Sequence, residues 1–82
     1  MEEQDLLKKI AKERYELEIM NIELKRMLGL VHWNKEHPIE NFMLKRHNEK
    51  SLQIKIDIQI LKIELQKLDL EWLNEKLYSL TN

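Results

Sequence analysis

Between residues 5 and 31, apolar side chains recur at alternating steps of four and three. The series is Leu6, Ile10, Leu17, Met20, Leu24, Met27 and Val31, with Glu13 its one polar member. A seam that repeats every 3.5 residues is what one helix presents to another, so the spacing predicts an amphipathic helix over about 5–31. Asp5 stands where a cap belongs, with Glu2 and Glu3 on the favourable side of the helix dipole. Ile19 and Ile22 lie off the seam and widen the apolar surface, and Gly29 is expected to loosen or end the last turn. Glu13 reads most simply as an outer position paired with Arg14 or a facing lysine. The sharper reading is a buried charge that sets register.

Residues 32–38, His-Trp-Asn-Lys-Glu-His-Pro, are the expected loop. Pro38 suits the first turn of a new helix, where its missing N–H costs nothing, and His37 before it is biased toward extended geometry. No Gly or Pro follows up to Leu80, which predicts a long second helix over about 39–80. The weak helix formers of His47–Ser51 offer one place for a bend, with Ser51 as a fresh cap.

Leu52–Ile60 argues the other way, because Leu-Gln-Ile-Lys-Ile-Asp-Ile-Gln-Ile alternates like a strand. A strand needs a partner, and no hairpin turn or second free-standing alternation supplies one. Helix is therefore the preferred reading. On a helix, Ile54, Ile58, Leu61, Leu65, Leu68 and Trp72 form one stripe, while Ile56, Ile60, Ile63, Leu70 and Leu77 fall on roughly the opposite side. A helix apolar on two faces has to be buried on both, and one partner helix covers only one.

Length points the same way. At 1.5 Å per residue the helices would be about 40 Å and 63 Å long. Folded back at Pro38, the first covers the second only to about residue 66, leaving residues 67–80 bare. The expected fold is therefore all-α: a two-helix antiparallel hairpin that self-associates into a four-helix-bundle-like dimer. The expected interface residues are Ile58, Leu65, Leu68, Leu70, Trp72, Leu73 and Leu77, with Trp72 the largest contributor.

Composition narrows the function. The 82 residues hold 14 Lys+Arg against 15 Asp+Glu, no Cys, one Gly and one Pro. Without Cys there is neither a disulfide framework nor a thiolate metal site. The near-neutral balance disfavours a strongly basic nucleic-acid binder. The acidic N-terminus is unlike a signal peptide and no apolar run is long enough to span a bilayer, so the expected setting is cytoplasmic, without membrane contact.

Candidate chemistry is sparse. His32 and His37 with Glu36 and Glu40 lack metal-ligand spacing. The carboxylates on both helices interleave with Lys and Arg as a solvated face would. One glycine cannot build a phosphate loop, and no nucleophile stands beside a base. Trp33-Asn34-Lys35 lacks the glycine of Trp-x-Gly hairpins, and no regular set of arginines matches that of the small chorismate mutases, so no family is assigned. No enzyme activity, cofactor, metal or small-molecule substrate is expected. The sequence predicts a non-enzymatic interaction protein (a small regulator, adaptor or chaperone) that binds itself and a protein partner. Trp33 is a candidate anchor in the loop. The alternative is a small nucleic-acid-binding regulator that uses Lys45, Arg46, His47 and Lys50.

Overall fold

The seam periodicity of each half of the chain becomes one helix. A computed structural model describes residues 2–81. It shows α1, Glu2–Glu36, and α2, Phe42–Thr81, joined by residues 37–41 and packed against each other as a hairpin. The molecule is a rod of 61 × 14 × 14 Å. Among the described residues, no helix is long and apolar enough to cross a membrane.

The helix ends lie elsewhere than the pattern alone implied. α1 opens at Glu2, so Asp5 sits inside the first turn beside Glu2 and Glu3, where acids meet the positive end of the dipole. At its other end α1 runs through Gly29 and on through His32–Glu36, most of the expected loop. Pairings four residues apart hold this stretch helical. His32 Nε2 lies 3.1 Å from Glu36 Oε1. The Trp33 and His37 rings stack at 4.2 Å, and the His37 backbone N–H donates to the Trp33 carbonyl at 2.9 Å.

α2 begins after Asn41 rather than at Pro38. The Asn41 side-chain oxygen accepts the Leu44 N–H at 3.1 Å, and its carbonyl accepts that of Lys45 at 2.9 Å. A capping oxygen satisfies a donor outright, whereas proline at a first turn only avoids losing one. α2 is continuous through His47–Ser51, and the strand-like Leu52–Ile60 lies wholly within it.

The shifted turn overturns the expected overhang. Gln66 stands opposite Glu13 and Gln59 opposite Met20, seven residues on in one helix and seven back in the other. A turn centred about four residues later than Pro38-based folding implied moves the pairing on the partner helix by twice that, about eight residues. Leu70 and Leu73 are consequently not bare. They pack with Leu6 and Ile10 into the buried cluster near the open end of the hairpin, with Leu17 and Leu77 against it. Ile56 and Ile63 are buried further along the same face.

A candidate docking surface

α2 carries two heptad seams. The inner one, Ile56, Gln59, Ile63, Gln66, Leu70 and Leu73, is buried against α1. Its two glutamines are satisfied in the same way. Gln59 Nε2 donates to the Met20 carbonyl at 2.9 Å and to the Glu23 carboxylate at 3.3 Å. Gln66 Nε2 donates to the Glu13 carbonyl at 2.9 Å and to the Glu13 carboxylate. Glu13, the polar member of the α1 seam, is therefore half-buried and bound by a glutamine, not by Arg14 or a lysine. Sequence reasoning missed both glutamines as seam members. The signal was there in their seven-residue spacing, in step with Ile56, Ile63 and Leu70.

The outer seam is Ile54, Ile58, Leu61, Leu65, Leu68 and Trp72. All six are exposed, between 48% and 63%. Steps of four and three are unbroken from end to end, so the stripe keeps to one side of the helix over about 27 Å. It lies roughly 150° round α2 from the inner seam, which turns it almost directly away from α1. Acids border one edge, at Asp57, Glu64 and Glu71. The other edge holds Lys55, Lys62, Asp69 and Lys76, and the Lys76 ammonium rests 5.0 Å over the Trp72 ring.

The expected interface residues thus divide. Ile58, Leu65, Leu68 and Trp72 share the outer stripe with Ile54 and Leu61. Leu70 and Leu73 are consumed within the chain, and Leu77 is half-buried beside them. At the loop end, Trp33 remains 54% exposed but stacked on His37. Of the basic residues there, Arg46, His47 and Lys50 are exposed, whereas Lys45 is half-buried at a seam position facing α1. The four do not share one surface.

Among the described residues, no three His, Asp or Glu side chains converge as metal ligands. An open groove runs along α2, bordered by Lys67, Leu70, Glu71, Asn74, Glu75 and Tyr78. No protein-family model matches the chain, and neither does a curated protein or a solved structure.

Proposed function

We propose that the chain is a non-enzymatic interaction protein whose outer α2 stripe docks a helix from another chain. One observation carries this reading: the more apolar of the two faces of α2 is the one its own chain leaves open. Among the described residues, six large apolar side chains are buried, while twenty are exposed. Six of those twenty stand in a single continuous seam, and an apolar stripe at heptad spacing suits a partner helix. Scattered apolar residues on a surface need no such account.

Co-purification from the native host, comparing the wild type with Leu65→Glu, tests this. Proteins recovered with the wild type, further copies of the chain included, should be lost with Leu65→Glu while circular dichroism stays unchanged. Identical recovery with both would show that the stripe docks nothing. The nucleic-acid reading would be favoured instead by an electrophoretic shift that weakens steeply with salt and disappears on Arg46→Ala with Lys50→Ala.

A further inference from the structure

We infer that the occupant of the outer stripe is a second copy of this chain, with the two α2 helices side by side and parallel. This rests on the docking reading above and specifies its partner.

Surface area motivates self-association. A compact monomer of 10.1 kDa exposes about 5,300 Å², whereas this chain exposes 6,978 Å². The difference is roughly twice the ~800 Å² that each partner contributes to a standard interface. The apolar seam also complements itself. Ile58, Leu65 and Trp72 occupy one class of seam position and Ile54, Leu61 and Leu68 the other, so a second α2 presents matching layers. The layers stop at Ile54, since His47 and Ser51 continue the stripe as polar residues toward the loop.

Charge then selects the direction. In a parallel pair each edge of one helix runs along the opposite edge of the other. Asp57 meets the partner's Lys62 and Glu71 meets the partner's Lys76. Against these stand Glu64 with the partner's Asp69 and, beyond the apolar layers, Lys50 with the partner's Lys55. In an antiparallel pair like edges meet. Asp57 then faces the partner's Glu71, Glu64 faces its own symmetry mate, and Lys62 does the same. Only Lys55 with the partner's Asp69 attracts. The parallel arrangement balances attraction with repulsion, and the antiparallel one is repelled along a whole edge. A parallel pair puts the two α2 helices in the middle and the α1 helices outside. The arrangement is four helices in a row, because the two faces of α2 are too nearly opposite for the square bundle, which needs faces about 90° apart.

The chain has no native cysteine, so single cysteines report direction cleanly. Ser51→Cys and Glu75→Cys flank the stripe about 36 Å apart without touching its apolar residues. Sedimentation velocity should show a dimer at micromolar concentration, and each variant alone should oxidise to a covalent dimer. Asp57→Lys should weaken the dimer roughly three- to tenfold, since two attractive pairs become repulsive, with an unchanged helical spectrum. A disulfide that forms only in the mixture of the two variants, with Asp57→Lys tightening association, would establish the antiparallel dimer and overturn the inference. A wild type that stays monomeric at high micromolar concentration would overturn it as well. In that case a protein lost on Leu65→Glu in the co-purification would keep the docking reading alive with a different helix as occupant.

Discussion

The two faces of α2 invert the usual relation between burial and polarity. Its buried seam interrupts apolar residues with Gln59 and Gln66, whereas its exposed stripe is apolar at every position from Ile54 to Trp72. The difference separates two tasks. Buried glutamines contribute little net attraction, but leaving them unpaired costs, so they fix how α1 and α2 align. The outer stripe has no such constraint, and in the proposed dimer its apolar area would supply the driving force for association. A hairpin that keeps its polar specificity inside and its apolar area outside fits the docking role proposed above.

The sharpest way to break this comparison is to cut one neighbouring residue on each face. Leu73→Ala, on the inner seam at 3% exposure, should cost about 2–5 kcal/mol, a large share of the stability of so small a fold. Trp72→Ala, one residue away at 57% exposure, should cost under about 1 kcal/mol in dilute solution and show its main effect on association. Urea unfolding followed by circular dichroism, at two protein concentrations, separates the two. Equal losses in dilute solution would erase the distinction between the faces.

The next largest effect concerns register. Gln66→Ala removes both bonds to Glu13 and should destabilise the hairpin by roughly 1–2 kcal/mol. Amide exchange should show the loss concentrated where α1 and α2 meet near these residues. An unchanged unfolding midpoint would mean that water replaces the glutamine without penalty.

Changes outside both faces set the scale for these. Asn41→Ala removes the α2 cap and should cost about 1 kcal/mol, read as a lower thermal midpoint. Smallest, and opposite in sign, is Gly29→Ala. Gly29 is helical, without a positive φ, and a Cβ there meets nothing within 4 Å. The substitution should stabilise α1 by about 0.5–1 kcal/mol, and a fall in thermal midpoint would point to an unseen packing role.

The α1 seam was fully legible in the sequence. Its residues from Leu6 to Val31, Glu13 included, are those that turn toward α2, because a pattern sustained over four heptads leaves one orientation. The turn was not legible. Helix ends rest on a few weak local terms, and here the His32–Glu36 and Trp33–His37 pairs outweigh the loop-like composition of that stretch while Asn41 outranks Pro38. The error then doubled at the far end, stripping cover from Leu70 and Leu73 that α1 in fact provides. Both α2 stripes were visible, but apolar content alone mixed them into one interface. What separates them is the reach of Gln59 and Gln66 across to α1, a property of geometry that residue type does not announce.

Those glutamines have a consequence for how this sequence can drift. Each grips a main-chain carbonyl, of Met20 or of Glu13, and every amino acid carries that group. At position 20, α1 can therefore exchange its side chain for another that fits and keep the bond. α2 has less freedom, since the side chain at positions 59 and 66 must itself carry a donor long enough to reach that carbonyl. Tolerance to substitution is thus unequal across a contact that both helices share. Variation should accumulate on α1 while positions 59 and 66 stand still, and a saturation library scored for folding would display that imbalance directly.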